Sequence, residues 1–204
     1  MAKGELTRQR IIEAAAPIFN LRGFSGCSMQ DVMDATGLEK GGLYRHFSSK
    51  EELAAEALKF ALSRSVRTRT DDLEHIESSL EKLRFAVKRF VETPSIMPGG
   101  CPLMNAAIDS DDGNPVLRQL ARDAFLAWKA RLSAIIEAGI QRGEIRENTK
   151  PLRVANTIIA TLEGALMMSR IEDTKEPLVD AQAAIGNVLD GIASEGGRAG
   201  RVAI

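Results

Sequence analysis

Apolar positions recur every three or four residues along most of the chain, and no stretch sustains the two-residue alternation of a strand. The first predicted helix runs from about Thr7 to Arg22, with Ile11, Ala15, Ile18 and Phe19 on one stripe, and stops at Gly23. Pro17 lies inside it and deprives the Glu13 carbonyl of its usual donor, so a kink is expected there. Ser28 caps a short second helix with Asp31 as capping-box partner, and Gly37 ends it. A third short helix spans about Lys40 to Phe47. Ser49, with Glu52 three residues on, caps a long fourth helix that reaches Arg69.

Five more segments follow, at about Ile76 to Glu92, Pro102 to Asp109, Asn114 to Arg142, Pro151 to Ile171 and Pro177 to Ser194. Three of them open on proline, which suits a first turn where the missing N–H has no role. The clearest loop is Thr93 to Gly100, and the glycine-rich tail after Gly196 has no apolar period, so it is expected to fray. The fold class is therefore all-α, with about nine helices. Abundant alanine and leucine agree with it.

Composition narrows the function. A chain of 204 residues that is 44% apolar can bury a core without disulfides or metal, and a net charge of −1 excludes bulk attraction to nucleic acid. The charge is unevenly spread: the first 50 residues hold seven lysines and arginines against five acids, and the remainder leans acidic. The charged start and the interrupted apolar run from Val154 to Ile171 predict neither a signal peptide nor a membrane span. A cytoplasmic protein with Cys27 and Cys101 reduced is the expectation.

The informative feature is the pair of short helices joined at Gly37. Val32, Ala35, Leu38, Leu43 and Phe47 can form one small core, with Ala35 at the helix crossing and Gly37 in the left-handed turn. That is the logic of a helix-turn-helix whose second helix enters the major groove, although an ordinary αα-corner has the same pattern. Lys40 and Lys50, each opening a helix, suit phosphate contacts, and Ser28 and Ser49 cap helices whose N-terminal ends favour phosphate. Arg45 can span the O6 and N7 of a guanine, or can equally rest on phosphate or in solvent.

The flanking sequence sharpens this. Arg10 to Ala15, Phe19, Arg22-Gly23-Phe24, Ser28 to Val32, Ala35, Gly37-Leu38, Lys40-Gly41, Leu43-Tyr44, His46-Phe47 and Ser49 to Leu53 stand in the order and spacing of one family. The run from Thr7 to Leu58 resembles the DNA-binding domain of the TetR (tetracycline repressor) family of bacterial transcription regulators. The resemblance implies a homodimer on a near-palindromic double-stranded DNA operator, released by a small-molecule effector. It implies a head over residues 1–48, a dimerisation and ligand-binding body over 49–195 and a tail over 196–204. It places Tyr44 and His46 at backbone contacts and adds Gln30, Gly41 and Gly42 to the DNA surface. Gly42 departs from the family's usual Ser, Thr or Ala, and has no side chain to read a base.

In the body, Phe85, Phe125, Trp128, Met104 and Met167 are large side chains able to line a pocket, or equally to be plain core. Glu163 interrupts an apolar segment and needs a partner: ligand, second subunit or solvent. Cys101, followed by Pro102 and Asn105, looks like a run in some TetR-like regulators where a cysteine senses oxidants or electrophiles; alternatively it is a small buried residue with Asn105 holding backbone. A DNA-binding organiser or activator without effector is the competing function. An enzyme is not expected, because His46 and His75 lack a metal-binding frame and Gly23 to Cys27 is an incomplete nucleophile elbow. The acidic run Asp109 to Asp112 reads as a cap and turn, and no cofactor or metal is implied. The apolar stripes Val154, Ile158, Leu162, Ala165, Met168 and Ala181, Ala184, Ile185, Val188, Ile192 are the expected dimer faces, with the alternative that one stripe packs inside its own subunit.

Overall fold

A computed structural model describes residues 3–110 and 113–194. Asp111, Asp112 and the expected tail lie outside the described residues. Nine α-helices occur among them: α1 (Lys3–Gly26), α2 (Met29–Thr36), α3 (Lys40–Tyr44), α4 (Lys50–Thr70), α5 (Ser79–Glu92), α6 (Pro102–Asp109), α7 (Pro115–Gln141), α8 (Pro151–Glu172) and α9 (Glu176–Ile192). The described residues hold no strand, only an isolated bridge between Ile145 and Ala193. No described helix is long and apolar enough to cross a membrane. Two compact units emerge, one of residues 1–67 with 95–124, the other of 68–94 with 125–204.

In the first unit, α1 packs on α2 and on α6. The interruption of α1 falls at Gly23 (φ 73°, ψ 174°), the one position with non-helical angles, and not at Pro17. The proline is accommodated within the helix, whereas Gly23 supplies a conformation that a Cβ disfavours. The break turns the Phe24 N–H to Asp109, whose Oδ2 accepts it at 2.7 Å. One turn earlier, the Asn20 carbonyl accepts from Asn105 Nδ2 at 3.0 Å, and Asn105 also donates to the Gly99 carbonyl at 2.8 Å. Asn20 Nδ2 in turn donates to the carbonyls of Pro98 (2.7 Å) and Gly100 (3.1 Å). Polar bonds therefore fix both ends of α6 to α1.

In the second unit, α8 packs on α9 and α5 on both. The start of α5 is fastened by Glu144, which accepts from Ser78 Oγ (2.8 Å), Ser79 N (2.7 Å) and Arg142 Nε (2.7 Å). Ser79 Oγ donates to the Ile135 carbonyl at 2.7 Å, so α5 meets α7 directly. The stripes expected to face a second subunit are largely interior. Val154, Ile158, Leu162, Ala165, Ala181 and Ile185 are buried within the unit, and of the ten only Met168 and Ala184 are exposed. A different apolar set is outside: Leu152, Met167 and Ile171 on α8, and Val179 on α9. The sequence stripe was the core face because α8 carries apolar residues on two opposite faces.

Gly99 has φ 99°, and a Cβ built on it collides with the Asn20 carbonyl group, 2.8 Å from its carbon. Gly99→Ala is expected to destabilise the protein by about 1–3 kcal/mol, through the disfavoured φ and the lost close approach. Thermal unfolding followed by circular dichroism checks this. An unchanged melting temperature would mean the loop is not held against α1.

Candidate nucleic-acid interface

The head core forms as the spacing predicts, with one exception. Val32, Leu43 and Phe47 are buried together with Ile11, Ala15 and Leu53. Ala35, expected at the helix crossing, is exposed. The inward face of α2 is set by Met29, Val32 and Met33, and Ala35 lies about a third of a turn off it. Gly37 adopts the left-handed conformation (φ 67°) and its N–H closes the helix on the Met33 carbonyl at 2.8 Å.

Asp31 completes a full capping box. Its Oδ2 accepts from the Ser28 N–H at 2.7 Å and from Ser28 Oγ at 2.6 Å, while the Asp31 N–H donates back to Ser28 Oγ at 3.1 Å. Its other oxygen pairs with Arg22 at 2.6 Å, tying α2 to the end of α1. These hydrogen bonds from Ser28, and then the Arg22 charge, hold the carboxyl well below its ordinary range, at about 2. The α4 cap divides its work: Ser49 Oγ accepts from the Glu52 N–H at 3.1 Å, but the Glu52 carboxylate reaches Ser48 and not Ser49, at 2.8 Å from its N–H.

Leu43 and Phe47 hold α3 and the turn after it to the head core. Lys40, Gly41, Tyr44 and Arg45 are exposed there, with Ser28 and Gln30 exposed on or beside α2. Gln30 Nε2 donates to Asp34 at 2.7 Å. Lys40 Nζ lies 6.0 Å from the centre of the Tyr44 ring. Gly42, His46, Ser49 and Lys50 are half-buried, and Lys50 Nζ sits 4.3 Å over the Phe24 ring. Neither glycine of α3 is required by packing. Nothing lies within 4 Å of a Cβ at Gly41, and one at Gly42 meets only Leu38, at 3.7 Å.

The candidate effector residues are dispersed. Cys101, Met104 and Asn105 belong to the first unit: Cys101 is 3% exposed at the start of α6, and Asn105 spends its amide on the backbone clamp. Burial also pushes the Cys27 thiol up, with Asp31 adding to it. In the second unit, Phe125 and Met167 are exposed and Glu163 is half-buried on α8. Phe85 lines an open groove of about 500 Å³ between α5 and α9. Trp128 alone of the set lines a small, partly open cavity of about 40 Å³, beside Phe90, Ile158 and Leu162. Arg69 and Arg131 also line it and were not foreseen; the spacing of Arg131, three residues after Trp128, could have suggested it.

An all-helical chain with an outward-facing second helix of a helix-turn-helix defines a DNA-binding transcription regulator. Residues 11–57 match the model of the bacterial regulatory proteins of the tetR family, and residues 79–185 match the tetracyclin repressor-like C-terminal domain. The transcriptional repressor DhaR of Mycobacterium sp. strain GP1 is 30% identical over 84% of this chain and 86% of its own. A TetR transcriptional regulator from Chloroflexus aurantiacus is 39% identical, with a TM-score of 0.90 over 95% of this chain and 98% of that one. One from Cytophaga hutchinsonii is 32% identical, with a TM-score of 0.89 over 96% and 98%. The chain belongs to the TetR family of transcription regulators.

Because the Asp31 carboxyl titrates lower in the folded head than its ordinary 3.8, its stabilisation is present above about pH 4 and is lost as pH falls towards 2. Asp31→Asn is therefore expected to melt earlier than wild type at neutral pH and to converge with it in acid. A constant difference across that window would mean that the charge of Asp31 has no part in the cap. Gly42→Ala should raise the melting temperature, since alanine favours a helix by about 1 kcal/mol over glycine and finds room. A lower melting temperature would show that the glycine is structurally required.

Proposed function

We propose that this chain is a repressor that binds a near-palindromic DNA duplex as a homodimer and is released by a small-molecule effector. The observation that carries the DNA reading is the exposure of Lys40, Tyr44 and Arg45 in and just after a short helix that Leu43 and Phe47 hold to the head core. Phosphate is the partner of Lys40, Lys50, Tyr44 and His46, with Ser28, Gln30 and Ser49 adding hydrogen bonds from the adjoining helix starts. Arg45 is the base-reading side chain, because only its fork spans two acceptors on one guanine. Gly41 and Gly42 leave α3 bare, so the duplex can approach the backbone between Lys40 and Tyr44.

The dimer reading rests on Leu152, Met167, Ile171 and Val179, an apolar set exposed on α8 and α9. Large exposed apolar patches on a regulator mark an interface. Two copies related by a twofold axis present two recognition helices to the two half-sites of a palindrome. The effector reading rests on the small cavity beside Trp128. Burial of Cys101 favours a noncovalent effector over oxidation of that thiol.

A duplex selected from a random-sequence library by the full-length protein is the probe. Lys40→Ala, Tyr44→Ala and Lys50→Ala are expected to weaken all selected duplexes alike, each lysine change flattening the salt dependence by about one unit of slope. Arg45→Ala is expected to change the preference among duplexes. Full affinity in the three phosphate variants combined would overturn the assignment. Ile171, 76% exposed, tolerates a charge in the monomer. Ile171→Glu should therefore sediment as a folded monomer at micromolar concentration, where wild type is a dimer; a dimeric variant would exclude this face.

A further inference from the structure

We propose that the small cavity of the second unit takes an anion with an apolar, aromatic body, its negative group at Arg131 and its body against Phe90. The proposal rests on the effector reading above and names the chemistry of that effector.

The larger groove between α5 and α9 shows the contrast that leads there. Its cations are already matched: Arg84 pairs with Asp190 at 2.6 Å and with Glu81 at 3.4 Å, and Lys88 with Glu92 at 3.7 Å. The cavity is different. Its described lining is apolar except for Arg69, Thr70 and Arg131, and it includes no carboxylate. Arg69 is engaged structurally, with Nη2 donating to the Pro94 carbonyl at 3.0 Å and the guanidinium 4.4 Å over the Phe90 ring. The Arg131 guanidinium makes no ion pair among the described residues and is exposed. An anion arriving from solvent meets a cation that water already solvates, so the pair forms without the cost of desolvating a buried charge. A carboxylate also matches the guanidinium fork in two parallel hydrogen bonds.

The apolar body follows from the rest of the lining. A volume of about 40 Å³ holds roughly one water molecule, so a larger ligand must displace a side chain. Phe90 is 1% exposed and is fixed, whereas Trp128 is half-buried and stacks on it with ring centroids 6.0 Å apart and planes 13° from parallel. An aromatic ligand can take the place of the indole on the Phe90 face at little loss, because one stacked pair replaces another. Trp128 also lies one turn from Arg131 on the same helix, which puts the displaced stacking face and the cation on one side of α7.

Trp128 is the chain's single tryptophan, so its emission reports on this cavity alone. The full-length protein is titrated with phenylbutyrate, phenylbutanol and phenylbutylamine, three probes with one body and a negative, neutral or positive head. The acid is expected to change Trp128 emission and to bind about tenfold or more tightly than the alcohol, the difference of one charge-assisted hydrogen bond. The amine should bind more weakly than the alcohol. Arg131→Gln, at an exposed position, should abolish the preference for the acid and leave the alcohol unaffected. Equal affinity for the three probes, no emission change with any, or a preference for the acid that survives Arg131→Gln would each overturn the proposal. The titration contains no DNA. If the acid binds as expected but leaves duplex affinity unchanged, the ligand chemistry stands and the release reading falls.

Discussion

One redirected backbone bond organises the first unit. In an unbroken helix the Asn20 carbonyl accepts from the N–H four residues on, which belongs to Phe24. Gly23 takes a left-handed φ between them, and the Phe24 N–H turns to Asp109 while the Asn20 carbonyl takes the Asn105 amide. A single helical bond is thus exchanged for two bonds to another element. The exchange works only because no side chain intervenes: a Cβ at Gly23 falls 2.7 Å from Asp109 Oδ1, and one at Gly99 strikes the Asn20 carbonyl. The same helix carries Ile11 and Ala15 into the head core. Residues 95–124 consequently group with residues 1–67, although residues 68–94 of the second unit lie between them in the chain.

What the sequence disclosed and what it withheld divide along the range of the interactions. Helix starts and stops are local, and Ser28 and Ser49, the caps read from sequence, each accept the N–H three residues on at the starts of α2 and α4. Pro102 and Pro151 open the helices predicted for them, α6 and α8. The misreadings concern orientation. Pro17 and Gly23 both qualify as breakers, but proline loses one bond that a packed helix can do without, while the angles at Gly23 (φ 73°, ψ 174°) are open essentially to glycine alone. Ala35 was placed by its small size, yet the inward face of a two-turn helix is decided by its largest apolar residues, here Met29, Val32 and Met33. On α8 the periodicity identified a buried face correctly as apolar but could not say which partner covers it.

The candidate site follows the same division. The candidate DNA surface occupies one short stretch of chain, so residue order and type already pick out Lys40, Tyr44 and Arg45 before any long-range contact is known. The cavity draws on the end of α4, on α5, α7 and α8, and its residues acquire meaning only when those elements meet. Large side chains are a poor guide to it. Phe125 and Met167 face solvent, and Asn105 is consumed by the clamp on α1.

Charge placement separates the two sites physically. In the head, Asp31 is paired with Arg22 and bonded by Ser28, Glu52 is bonded by Ser48 and Asp34 by Gln30, while Glu39 and Glu51 stand exposed beside Lys40 and Lys50. The cationic excess of the first 50 residues is therefore small, seven lysines and arginines against five acids, on a chain of net charge −1. The cavity achieves the same sign by different means, since no carboxylate enters its described lining. The two candidate anion sites thus differ: a small local excess of cations at one, and a lining without a described carboxylate at the other. Bulk composition could show neither, because it counts charges without saying which of them are already paired.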